Sequence, residues 1–141
     1  MTVLHWLSAG ALLASVGAAA AVAQETLVAP GPQGDLAGTL VAPTEGQPLV
    51  LIIPGSGPTD RDGNSPLGVT AAPYRLLADA LAGRGIGTLR TDKRGMFASK
   101  AAGADANAVT IADYVTDTAS WVGAARTATG AECLWLLGHS E

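Results

Sequence analysis

The sequence closes on Gly138-His139-Ser140-Glu141, directly behind the apolar run Cys133-Leu134-Trp135-Leu136-Leu137. These four residues satisfy four fifths of a Gly-x-Ser-x-Gly pattern, whose last glycine would fall at position 142. The pattern has a mechanical reading. A strand turns sharply into a helix, and the turn holds a serine in strained backbone geometry with its hydroxyl exposed. A serine so placed attacks carbonyl carbon, so Ser140 is the candidate nucleophile of an acyl transfer. The competing reading is an ordinary strand-to-helix turn with Ser140 as a helix cap. Serine chemistry needs a base, and the only histidines are His5 and His139. Neighbours at a strained turn point apart, so His139 is a poor base for the serine beside it. Only Glu141 follows Ser140 in this sequence, and the triad acid and base are expected beyond residue 141.

The elements that must hold Ser140 are legible in the pattern of apolar and turn residues. Segments 25–29 and 35–42 form an opening hairpin around the turn Pro30-Gly31-Pro32-Gln33-Gly34. The run 48–53 is apolar, rich in β-branched residues and too short for a helix, as in a strand buried on both faces. A polar loop over 54–66 follows. A helix begins near Pro73, with Tyr74, Leu77, Ala78, Leu81 and Ala82 at helical spacing, and closes at Gly83-Arg84-Gly85. Segment 86–91 is the next strand. Residues 98–108 are small and polar and read as a loop. Thr110-Ile111-Ala112-Asp113 is a capping box. The helix behind it carries Ile111, Tyr114, Val115, Thr118, Trp121, Val122 and Ala125 on one face and stops at Thr129-Gly130. Segment 133–137 is the last strand. Strands alternating with helices imply right-handed crossovers and a parallel sheet.

Three stretches make this pattern resemble the N-terminal half of an α/β-hydrolase, most similar to the bacterial esterase and serine-aminopeptidase-like group. They are Ile53-Pro54-Gly55-Ser56-Gly57-Pro58-Thr59-Asp60-Arg61-Asp62-Gly63-Asn64, Arg90-Thr91-Asp92-Lys93-Arg94-Gly95 and Leu137-Gly138-His139-Ser140-Glu141. The matching region covers roughly residues 49–141. The resemblance implies an α/β fold with a mostly parallel sheet and flanking helices, cut at the nucleophile elbow. It also implies two backbone N–H donors for an oxyanion. One is the residue after the nucleophile, Glu141. The other is Ser56, in the loop after the third strand. Gly55 and Gly57 let that loop turn its N–H inward, and Asp60, Arg61, Asp62 and Asn64 form a hydrogen-bonded loop that fixes it. The family usually continues Arg-Gly with a Val-Gly-x-Ser segment, where Met96-Phe97-Ala98-Ser99 stands here. Asp92 follows a strand at the sheet's carboxyl edge, but the triad acid comes after the serine in this fold. Asp92 and Arg94 are therefore expected to form a structural ion pair.

Two rival readings of the first loop fail on spacing. Gly55-x-Gly57 begins a dinucleotide fingerprint, but Asp60 stands where the third glycine belongs. Asp60-x-Asp62-Gly63-Asn64 has the composition of a calcium loop, but its glycine is fourth, and the twelfth position is Ala71 rather than glutamate. No metal and no cofactor are implied.

With 141 residues, 48% apolar and 14% charged, the chain is long enough for one domain with a real core. A net charge of −4 without a basic cluster speaks against a nucleic-acid partner. Residues 1–23 carry no Asp, Glu, Lys or Arg, so that only the amino terminus and His5 could be charged, and they end in Ala21-Val22-Ala23, before Gln24-Glu25 restores polarity. This reads as a secretory signal peptide cut after Ala23, with a membrane anchor as the competing reading. Cleavage would leave residues 24–141 without stable membrane insertion and the product exported, periplasmic or secreted. Cys133 is the only cysteine, so no intrachain disulfide exists, and it is expected to be a small buried hydrophobe.

The sequence thus points to an exported serine hydrolase, present as its N-terminal piece. It would act on ester bonds, and less favourably on peptide or amide bonds, of a small substrate through an acyl-enzyme. The residues present would be inactive alone. The alternative is a non-catalytic binding protein that kept the sheet without a complete triad.

Overall fold

A hairpin opens the fold because Pro30 and the glycines behind it stop one strand and reverse the chain into the next. A computed structural model describes residues 22–103 and 105–140. Most of the expected signal segment, and Glu141, lie outside the described residues. Strand β1 (Glu25–Pro30) pairs antiparallel with β2 (Asp35–Val41), from Glu25 opposite Leu40 to Pro30 opposite Asp35. Next come β3 (Leu49–Ile53), helix α1 (Pro73–Ala82), β4 (Gly87–Thr91), helix α2 (Ile111–Thr129) and β5 (Leu134–Gly138).

The five strands form one sheet in the order β1-β2-β4-β3-β5. β2 meets β4 antiparallel, while β4, β3 and β5 run parallel, with Leu51 opposite both Leu89 and Leu136. β3 and β4 are therefore flanked on both sides. Leu49, Leu51, Ile52 and all five residues of β4 are buried, as in central strands of a parallel sheet, although β4 carries Thr88, Arg90 and Thr91 beside its one leucine. The chain leaves β3 toward β4 and returns across it to β5, so the strand order reverses at β3. In open α/β sheets, ligand sites form outside the carboxyl ends of the strands at that reversal.

Helix α2 covers one face of the sheet. Trp121 and Ala125 join Leu36, Leu40, Leu49, Leu51 and Leu89 in the core. Gly38 of β2 admits this packing. A Cβ there would sit 3.0 Å from the Trp121 ring and 3.0 Å from the Arg90 carbonyl. The next residue of β4, Arg90, points to the opposite face, where Asp79 of α1 acts on it. Among the described residues no helix is long and apolar enough to cross a membrane.

Several expectations are corrected. Ile111 and Val115 are 70% and 65% exposed, while Asp117 is buried. The apolar stripe on α2 is rotated because the Arg94 guanidinium beneath it is buried, and a buried charge must be paired. The segment read as a loop carries two 3₁₀ turns, Phe97–Ala102 and Ala106–Ala108. Cys133 is exposed and accepts from Trp135 Nε1 at 3.0 Å, because it precedes β5 rather than lying within it. β5 is a sheet edge among the described strands, with Trp135 63% exposed.

Candidate functional site

Ser140 lies two residues past the end of β5, and its φ of 53° is left-handed, a conformation that costs an L-residue about 1–2 kcal/mol. A serine strained in this way at a strand's carboxyl end is the geometry the Gly-x-Ser motif requires. The turn is pinned from its own side: the His139 N–H donates to the Ile53 carbonyl at 3.2 Å, extending the β3–β5 ladder. The loop after β3 and the turn after β5 therefore leave the sheet side by side.

Gly55 lies against that turn so closely that no other residue fits. A Cβ on Gly55 would stand 2.7 Å from the His139 carbonyl oxygen and 3.4 Å from Ser140 Cβ. Gly57 serves differently, since its surroundings are open but its φ is +76°. Between them, the Ser56 N–H donates to the Ser140 carbonyl at 3.0 Å, and Ser56 Oγ donates to the same oxygen at 3.2 Å. Ser56 and Ser140 are thus brought together across the sheet's carboxyl edge. The Ser56 N–H is engaged by Ser140 itself, so its use by a bound oxyanion requires that carbonyl to release it.

The rest of the loop is braced by its own carboxylates. Asp60 Oδ1 accepts from the N–H groups of Asp62 and Asn64 at 2.9 and 2.8 Å, and Asp60 Oδ2 accepts from Asn64 Nδ2 at 3.2 Å. With its oxygens turned to these donors, Asp60 closes a turn rather than a cation cage. Among the described residues no group of three or more His, Cys, Asp or Glu side chains could hold a metal. Asp62 pairs with buried Arg90, which also donates to Gln24 Oε1 at 2.9 Å. Burial pushes the Arg90 guanidinium below its ordinary pKa, and Asp62 opposes that shift.

The expected Asp92–Arg94 pair is replaced by two separate ones. Asp92 is 2% exposed and accepts from the Arg61 N–H at 2.8 Å, Arg61 Nη2 at 2.6 Å and the Ala98 N–H at 3.1 Å. It thereby ties the oxyanion-type loop to the segment after β4. Arg94 turns the other way, onto α2. It donates to Asp117 at 2.6 and 2.7 Å and to Asp113 at 2.8 Å. The hydrogen bond to Asp117 leads in raising the Arg94 pKa. Asp92 still follows the line of β4, whereas Arg94 stands in the turn completed by Gly95, whose φ is +76°, so the two side chains leave the chain toward different partners.

Phe97 has a left-handed backbone, with φ of 45°. Ser99, two residues on, is fully buried. Ser99 Oγ accepts from the Ala37 N–H and donates to the Asp92 carbonyl, both at 2.9 Å.

Two contributors were not legible in the sequence. Tyr74 fits the apolar stripe of α1, yet its hydroxyl accepts from the Gly55 N–H at 3.3 Å and lies 2.7 Å from His139 Nδ1. An aromatic ring with a polar tip that must find a partner when buried was the available signal. Lys93 is buried and donates to the Gly55 carbonyl. A lysine at the carboxyl edge of a central strand was the signal there.

No protein-family model matches the sequence, and no curated protein matches it closely enough to count as a relative. Solved structures do match. An α/β serine hydrolase without a lid, from Xanthomonas campestris, aligns with 24% identity and a TM-score of 0.54, over 82% of this chain and 50% of that one. An α/β serine hydrolase homologue from Coxiella burnetii aligns with 22% identity and a TM-score of 0.52, over 81% and 50%. A presumed hydrolase from Agrobacterium vitis S4 aligns with 18% identity and a TM-score of 0.54, over 73% and 36%. The chain therefore spans half or less of the length of these proteins. Strand order, reversal at β3 and these likenesses agree that the chain has the α/β-hydrolase fold.

Proposed function

We propose that the gene product carrying this chain is an exported serine hydrolase that cleaves esters, and less readily amides, with Ser140 as nucleophile. One observation carries the reading: Ser140 is held left-handed at the end of β5, within hydrogen-bond reach of the Gly55-Ser56-Gly57 loop. In this reading Ser140 Oγ attacks the carbonyl carbon and passes its proton to a histidine supplied from beyond residue 141. The histidine returns that proton to the leaving alkoxide as the ester C–O bond breaks. Water then attacks the acyl-enzyme, giving its proton to the histidine, and the Ser140 hydroxyl is restored. The N–H groups of Ser56 and Glu141 stabilise the oxyanion, and removing such a donor costs about 3–4 kcal/mol of transition-state stabilisation. Gly55, Gly57, Asp60 and Asp62 hold the loop. No cofactor or metal enters the reaction.

The test is covalent labelling of the complete gene product by a fluorophosphonate, which reacts with a serine activated by a base and an oxyanion hole together. Labelling is expected, with loss in Ser140→Ala. Labelling that persists in Ser140→Ala removes Ser140 as nucleophile. Export is tested separately by N-terminal sequencing of the mature protein, which should begin at Gln24. An intact Met1 on membrane-bound protein would favour an anchor instead.

A second reading is a binding protein built on the same sheet. The Ser56 N–H bond to the Ser140 carbonyl favours it, since that donor is already engaged. Complete absence of labelling in well-folded gene product would select it.

A further inference from the structure

The Gly55–Ser56 peptide is gripped from behind by a buried cation. Lys93 is 5% exposed, and its ammonium donates to the Gly55 carbonyl. We infer that Lys93 is a positioning residue for the oxyanion donor. It fixes the plane of the Gly55–Ser56 peptide and strengthens the Ser56 N–H as a donor. This inference rests on the serine-hydrolase reading above.

Peptide planarity carries the first half. In a trans peptide the carbonyl and the following N–H lie in one plane and point in opposite directions. A contact that fixes the Gly55 oxygen therefore aims the Ser56 N–H. Lys93 holds that oxygen on one side, and the Ser56 N–H points to the Ser140 backbone on the other. The preceding N–H, on Gly55, is held by the Tyr74 hydroxyl at 3.3 Å. A glycine has wide backbone freedom, and these two contacts restrict it at Gly55.

Burial and charge carry the second half. A desolvated ammonium is costly unless its N–H groups are satisfied. The ammonium also lies 5.9 Å from the centre of the Tyr114 ring. Lys93 lines a cavity of about 20 Å3 together with Pro54, Asp92, Asp117 and Trp121. A cation on a carbonyl oxygen draws electron density from the amide nitrogen, so the N–H on the far side becomes a better donor. Such coupling is strongest where water is excluded.

The experiment follows fluorophosphonate labelling of the complete gene product over a range of probe concentrations, in wild type, Lys93→Met, Lys93→Arg and Ser140→Ala. The limiting labelling rate of Lys93→Met should fall by about tenfold or more, as for loss of part of an oxyanion donor. The half-saturating probe concentration should stay within about twofold, because ground-state binding is untouched. Lys93→Arg, which keeps a charged donor, should recover part of the rate. If Lys93→Met does not fold by circular dichroism, Lys93→Gln replaces it; its shorter, uncharged amide does not restore the charged contact, so a fall in the limiting rate is again expected. A limiting rate equal to wild type, or a loss confined to the half-saturating concentration, would overturn the role of Lys93. Labelling that survives Ser140→Ala would instead overturn the nucleophile reading, so the two failures are distinguishable.

Discussion

The Tyr74 hydroxyl lies 2.7 Å from His139 Nδ1, with the two rings edge to face at 5.6 Å, so the first turn of α1 is tied to the turn after β5. The same hydroxyl accepts from the Gly55 N–H at 3.3 Å. One phenol thereby joins the turn after β5, the loop after β3 and the helix that follows it.

Tyr74→Phe should therefore loosen the site more than its small change in shape suggests. It leaves the buried Gly55 N–H and His139 Nδ1 without their partner, at a cost of about 1–3 kcal/mol. Urea unfolding should show the lower stability, and proteolysis should show earlier cleavage between residues 54 and 66. A midpoint equal to wild type would mean that water replaces the hydroxyl.

Ser56 separates backbone from side-chain roles. Ser56→Ala removes only the Oγ contact to the Ser140 carbonyl and should label with fluorophosphonate nearly as wild type. Ser56→Pro removes the N–H itself. Its labelling rate should fall by roughly 100-fold, the loss seen for a missing oxyanion donor. Equal labelling by the two variants would remove Ser56 from the oxyanion hole.

Helix α2 begins with an acid-sensitive cap. Asp113 accepts from the Thr110 N–H at 2.8 Å and the Thr110 hydroxyl at 2.7 Å, and the backbone bond leads in holding its carboxyl below the usual carboxylate range. A carboxyl with a depressed folded pKa stabilises the fold above its unfolded value, near 4, and loses that contribution as pH falls through the folded pKa. Thr110→Ala should cost about 1 kcal/mol at neutral pH, the usual worth of such a cap. Asp113→Asn should flatten the fall in stability below about pH 4. Parallel stability curves for wild type and Asp113→Asn through that range would contradict the assignment.

Gly38 tests the packing of α2 on the sheet. Gly38→Val places a branched side chain against the Trp121 ring, and overpacking of this kind costs about 1–3 kcal/mol. Trp121→Ala in the same background should relieve part of that cost while opening a cavity of its own. Strictly additive effects of the two substitutions would show that the two positions do not meet.

How far the sequence reaches is visible in single residues. Strands, helices and the capping box were legible because their signals are local: a β-branched run at 49–53, Pro73 at a helix start, Thr110 three residues before Asp113. The Gly-x-Ser turn was legible because a strained serine needs small residues nearby, and spacing along the chain records that need. Partners were not legible. Arg94 is two residues from Asp92 in the chain yet binds Asp117, while Asp92 binds Arg61, because the chain turns at Arg94-Gly95 and aims Arg94 away from the line of β4. The rotation of α2 followed from the same fact, since a buried Arg94 draws Asp113 and Asp117 inward and turns Ile111 and Val115 out. The sequence by itself determined the order of elements and the residues able to do chemistry. Only the tertiary structure decided that Ser56 meets Ser140 across the carboxyl edge and that Tyr74 and Lys93 hold the peptide between them. Those contacts join residues 19 to 84 positions apart, and the register of parallel strands around β3, not any local preference, brings them together.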